Sequence, residues 1–246
     1  MIKSDVDLRN SINGLYQTFS RYPLPLHVAG CPHCVSDADH ALLYAKDLCD
    51  LGPGELARYT FKALTTWGNE DDLRHFLPRI FELISADGGS WTFPETVFGK
   101  LAYGQWETWP SDERQAIITF FEALWSNVLD HFPHAFSAED CLCCIAQATD
   151  DMTRYLGQWH IAQSLTHAKH FASFVEHGLL GWSHSQGEAL EGDYWGSRPA
   201  AARLVIDWLC NPARTTELKH AFFHLASDEE DAALLSKAAD DLVHFS

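Results

Sequence analysis

The run NEDDLRHFLPRIFELIS, from Asn69 to Ser85, constrains the fold more than any other part of the chain. Leu73, Phe76, Leu77, Ile80, Phe81 and Ile84 recur at helical spacing and so gather on one broad apolar face of a helix, which must be buried against other elements. Asn69 supplies a side-chain oxygen for the free amides of the first turn, and Pro78 inside the run removes a hydrogen bond and should bend it. The same pattern of cap followed by periodic apolar residues recurs along the chain. No segment sustains the apolar–polar alternation of a strand. The expected fold class is all-α, with about ten helices in stacked antiparallel pairs, either a HEAT-like α-solenoid or an irregular helical bundle.

Leu8 to Phe19 reads as a helix, and RYPLPLHVAG after it as an extended path set by two prolines. Ser36 with Asp39 marks a helix start. ELARYTFKALTTWG reads as a helix stopped by Gly68 and joined by a tight turn to the run at Asn69. Thr92 with Glu95, Pro110 with Ser111, Ser137 with Asp140, and Ser227 with Glu230 mark further starts. The segment from Ser137 is expected to run on to about His177 with an interruption near Gly157. Residues 1–246 read as a single all-helical domain. A polar, Gly-rich surface loop near 183–199 would set off a C-terminal helical subdomain.

LRHFLPRIFELISAD resembles the first helix of a HEAT repeat, in which a proline follows a pair of apolar residues. GCPHCVS, RYTFKALTTWG and HFLPRIFELI, in that order, resemble a family of uncharacterised bacterial proteins over roughly the first hundred residues. That resemblance implies no activity.

Seventeen basic against 34 acidic residues give a formal charge of −17, which repels phosphate backbones and anionic lipid. Nucleic acid and membrane are therefore not expected as partners. The start MIKSDVDLRN has no apolar run after its lysine, and no stretch approaches the roughly 20 apolar residues of a membrane span, so a cytoplasmic protein is expected. Seven cysteines, an odd number, favour reduced thiols or metal ligands over a disulfide framework. Cys49 and Cys210 read as small core residues.

Three groups of residues could carry chemistry. Cys31-Pro-His-Cys34 is the same tetrapeptide as the active-site motif of the DsbA-like thioredoxin-fold oxidoreductases, although no βαβ pattern surrounds it here. The same thiols could instead hold a structural zinc with Cys141 and Cys144, a second Cys-x-x-Cys pair, or with His33 and His40. Metal-free thiols closing a loop are the third reading of these cysteines. His160, His167, His170 and His177 would share one stripe if a single helix spanned them. Glu217 and His220 add the Glu-x-x-His spacing of carboxylate-bound metal sites, with Asp72 and His75 as its nearest analogue. Ordinary hydrogen-bonded histidines explain the same spacing. Trp91, Phe93, Tyr103, Trp106 and Trp109 could line a pocket or fill the space between helices.

The function expected from these features is that of a protein-binding scaffold or adaptor whose partner is a protein with a basic surface, and catalysis is not required for it. The alternatives are a metal-dependent enzyme built on the His/Glu cluster and a thiol redox protein at Cys31 and Cys34. Zinc is the cofactor the cysteines would take.

Overall fold

The computed structural model describes residues 2–180, 190 and 194–243, and the described residues contain twelve α-helices and no strand. They are α1 (Lys3–Phe19), α2 (Asp37–Leu43), α3 (Pro53–Lys62), α4 (Glu70–Asp87), α5 (Pro94–Tyr103), α6 (Ser111–Asp130), α7 (Ala138–Ala148), α8 (Thr153–Leu156), α9 (Leu165–Phe174), α10 (Pro199–Leu209), α11 (Pro212–His224) and α12 (Glu229–Val243). The all-α class is as expected. No described helix is long and apolar enough to cross a membrane. The chain divides into two compact units, Met1–Leu124 and Trp125–Ser246, with the boundary inside α6. Of the loop expected near 183–199, residues 183–189 and 191–193 lie outside the described residues.

In the first unit α1 packs against α4. Ser4, Leu8, Ser11, Leu15 and Phe19 form the buried stripe of α1, and the Ser11 hydroxyl donates back to the Leu8 carbonyl at 2.7 Å. Asn69 caps α4 as expected. Its side chain accepts from the amides of Asp71 and Asp72, while the Asp72 carboxylate accepts from the Asn69 amide at 2.8 Å. All six apolar residues of that helix are buried. Phe81 centres an aromatic cluster, stacked on Phe120 at 4.7 Å and tilted against Phe98 at 5.1 Å.

The expected helix through Trp67 ends instead at Lys62, and residues 63–69 form a connector rather than a tight turn. The Lys62 carbonyl accepts the amides of Thr65, Thr66 and Trp67, and Leu64 adopts a φ of 64°. Two β-branched threonines favour helix poorly. The turn also buries Trp67 against Tyr59 and His40, with ring centroids 5.5 and 5.3 Å away. Gly68, at φ 77°, closes the connector. A Cβ there would sit 3.0 Å from the Asp72 carboxylate that caps α4. Gly68→Ala is expected to cost about 1–2 kcal/mol, seen as a lower urea midpoint. An unchanged midpoint would show that the connector relaxes freely.

In the second unit the segment expected from Ser137 is interrupted at Gly157, as expected, and also before it. After α7, Thr149 turns extended, and α8 is a single turn. Ser164 caps α9, which runs directly into a π-helical stretch, Val175–Leu180. Ser227 was expected to pair with Glu230, but Asp231 takes that place. Its carboxylate accepts the Ser227 hydroxyl at 2.6 Å while Asp228 receives the Asp231 amide at 2.9 Å. Asp231 is the buried residue of that turn and also binds Lys169 of α9, which decides between the two acids. α12 packs on both α9 and α11.

Candidate functional site

Cys31 to Cys34 form a tight turn in the first unit, held by the 63–69 connector at one end and by α3 at the other. The Cys31 amide donates to the Thr66 carbonyl at 2.8 Å, and the Gly68 amide donates to the Ala29 carbonyl at 2.7 Å. The connector that interrupts the expected helix is therefore the wall on which the turn is built. Within the turn, the Cys31 carbonyl accepts the amides of Cys34 and Val35, both at 2.9 Å. Ser36 then caps α2 through the Asp39 amide, as its spacing implied. Gly30 permits close packing beneath the turn, since a Cβ there would lie 3.3 Å from both the His40 ring and Val35.

The far end of the turn is held by two cations from α3. Lys62 Nζ donates to the Cys34 carbonyl at 2.8 Å and Arg58 does so at 3.1 Å, while Arg58 Nε also pairs with Asp39 at 3.0 Å. These cations sit beside the dithiol in a chain that is acidic overall. Sequence spacing did not mark them, because they lie 24 and 28 residues from Cys34.

Both thiols are partly accessible and unbridged. Hydrogen bonding brings the Cys31 thiol down from an ordinary 9.0 to about 7. The His33 amide contributes most, followed by the His33 side chain and the Cys34 thiol, with burial opposing and the Cys34 amide adding least. A turn closed between its first and fourth residues in this way holds its end Cα atoms within about 7 Å, near the upper reach of a disulfide. A partly exposed thiol near neutrality with a second thiol across one turn can act as a nucleophile and then be resolved by its neighbour.

The remaining residues singled out by sequence have other surroundings. Cys141 and Cys144 are fully buried in the second unit on α7, and burial pushes the Cys141 thiol far above its usual range. Cys49 is exposed in a short 3-10 turn and Cys210 is half-buried, so neither is the core residue expected; apolar neighbours in sequence did not become neighbours in space. His160 precedes α9, so the four histidines do not share one helix. The His160 amide nonetheless donates to His167 Nδ1 at 3.1 Å, and His167 Nε2 lies 3.3 Å from Asp130. His170 Nε2 meets the His131 carbonyl at 2.8 Å, and burial lowers its pKa to about 4. Glu217 pairs with Arg214 at 3.0 Å, and His220 packs on His224 at 4.5 Å. Asp72 caps α4, while His75 Nδ1 meets the Tyr22 carbonyl. Trp106 and Trp109 belong to the core, whereas Phe93 and Tyr103 are exposed.

Among the described residues no three His, Cys, Asp or Glu side chains are gathered as a metal site would gather them. No family model, no curated protein and no solved structure matches this chain, so its functional reading rests on the geometry of its own residues.

Proposed function

We propose that Cys31 and Cys34 form a thiol–disulfide exchange centre on an all-helical scaffold. The observation that carries this reading is the Cys31 thiol held near 7 by hydrogen bonds from His33 and Cys34, one turn from a second accessible thiol. The Cys31 thiolate attacks one sulfur of a substrate disulfide and releases the other as a thiolate. Cys34, losing its proton to solvent, then attacks Cys31 Sγ and releases the second substrate thiolate. The dithiol is oxidised by two electrons to a Cys31–Cys34 disulfide and the substrate disulfide is reduced to two thiols. The net charge of −17 favours a disulfide carried on a polypeptide with a basic surface, because complementary charge speeds encounter.

The test uses cystamine, a cationic disulfide, on the full chain. Wild-type protein is expected to accumulate the internal Cys31–Cys34 disulfide. Cys34→Ser should stop at a stable mixed disulfide on Cys31, located by peptide mass mapping. Adducts spread evenly over all accessible cysteines, or equal reaction of Cys34 in Cys31→Ser, would remove the assignment.

A further inference from the structure

The second unit contains a cavity of about 330 Å³, at the lower end of the range for small-molecule sites. Two of its lining residues, His170 and His177, belong to the histidine stripe read in the sequence, whereas Glu139 was not marked there. Its walls come from the loop after α6, the first turn of α7, and α9 with its π-helical extension. Phe132 and Phe174 supply apolar surface, while Glu139 and Asp140 supply carboxyl groups. His134, His170 and His177 complete the titratable lining, which contains no lysine or arginine.

Several contacts show that the pocket is built. Gly178, on the π-helical turn, has no side chain where a Cβ would fall 2.5 Å from the Phe174 ring and 3.0 Å from Glu139 Oε2. That space lets the Glu139 carboxyl lie against the turn that carries His177. His134 Nδ1 lies 3.0 Å from both the amide and the carbonyl of Phe136, which holds the ring in place at the pocket wall. His177 Nδ1 donates to the Ser173 carbonyl at 2.9 Å, which leaves Nε2 as an acceptor in the neutral ring. π-helical turns occur disproportionately at functional sites.

We propose that this cavity binds a small primary ammonium compound with an apolar body, its charge on the Glu139 carboxylate and its body against Phe132 and Phe174. Charge decides the ligand class. Burial pushes His134 and His170 toward their neutral forms, so the walls offer no fixed cation to an anionic ligand. Lys169 approaches the Phe132 ring to 5.0 Å, but its charge is paired with Asp231 at 2.6 Å, and Lys237 is paired with Glu176. An ammonium meets a carboxylate in a partly dry site, where a charge-assisted hydrogen bond is stronger than in water.

The site should also be tuned by pH. Burial raises Glu139 to about 7, the Asp140 charge adds to the rise, and His177 opposes it. An aliphatic ammonium keeps its proton throughout the neutral range. Between about pH 6 and about pH 8 the ionised fraction of Glu139 rises about tenfold, and amine affinity should follow. The groups facing Glu139 are Asp140, His134, His170 and His177; burial favours the neutral forms of His134 and His170, the latter lowered to about 4, so the change over this range is assigned to Glu139.

Calorimetric titration with phenethylamine, phenethyl alcohol and hydrocinnamate tests the proposal on the full chain. Phenethylamine is expected to bind at least about tenfold more tightly than the alcohol at about pH 8, with hydrocinnamate the weakest. Its affinity should fall about tenfold on going to about pH 6. Glu139→Gln should abolish both the preference and the pH dependence, with circular dichroism checking that it stays helical. The wild-type pH series stands by itself should that variant fail to fold. Equal affinity for the three probes, preference for hydrocinnamate, no amine binding at about pH 8, or an unchanged preference in folded Glu139→Gln would each overturn the proposal.

Discussion

Glu113→Ala is expected to destabilise the protein by about 3–5 kcal/mol, the scale for removing one partner of a buried ion pair. Glu113 lies in the first turn of α6 and is fully buried. Its Oε1 accepts the Tyr22 hydroxyl at 2.6 Å, and Arg74 Nε stands 3.2 Å from its Oε2. That second contact is aligned too poorly for a hydrogen bond, so charge rather than directional bonding holds it. The Arg74 guanidinium sits 4.1 Å over the Trp109 ring with little exposure to solvent. Burial, followed by the hydrogen bond to Glu113, raises Tyr22 to about 12, so its phenol remains a donor at neutral pH. Removing the carboxylate takes away the acceptor of the Tyr22 hydroxyl and the buried counter-charge of Arg74.

The exposed carboxylates Asp71 and Glu70, at 2.8 and 3.5 Å, still reach Arg74, which keeps the loss toward the lower end of that range. Urea denaturation should show the loss as a shifted midpoint with unchanged slope. Adding Arg74→Met to Glu113→Ala should cost much less than Arg74→Met alone, because the stranded charge is gone. Additive effects, or a loss below about 1 kcal/mol, would mean that the pair is solvated rather than buried.

Cys31 is expected to alkylate with iodoacetamide about tenfold faster than a cysteine in a short unstructured peptide at about pH 6. A thiol brought from 9.0 to about 7 carries about a hundredfold more thiolate there. The lower basicity of that thiolate reduces its intrinsic nucleophilicity, with a Brønsted slope of about 0.4–0.5, and trims the net gain to about tenfold. Above about pH 9 both thiols are ionised and the order should invert. Cys49, which is more exposed than Cys31, controls for access by reagent. His33→Ala should remove only part of the advantage, because the His33 amide, the largest cause of the shift, remains. A rate ratio that is constant with pH would show that accessibility alone sets the reactivity of Cys31.

The helical class and most helix starts were written locally. Ser36, Asn69 and Ser137 cap because an oxygen three residues before a free amide can reach it, and the apolar face of α4 follows from helical spacing alone. The dithiol turn was equally legible, as four adjacent letters. Long-range packing decided the rest. α3 stops at Lys62 because Trp67 is buried against Tyr59 and His40 while Thr66 supplies its carbonyl to Cys31, a contact 35 residues away in the chain. Arg58 and Lys62 become neighbours of Cys34 only when α3 is laid beside the turn. Glu139 stands in the first turn of α7, where the helix dipole by itself favours its charge. Burial beside the gap at Gly178 raises its pKa instead. Caps and periodicity act within a turn or two of helix and can be read along the chain, whereas desolvation depends on which distant residues exclude water, and only the tertiary structure decides that.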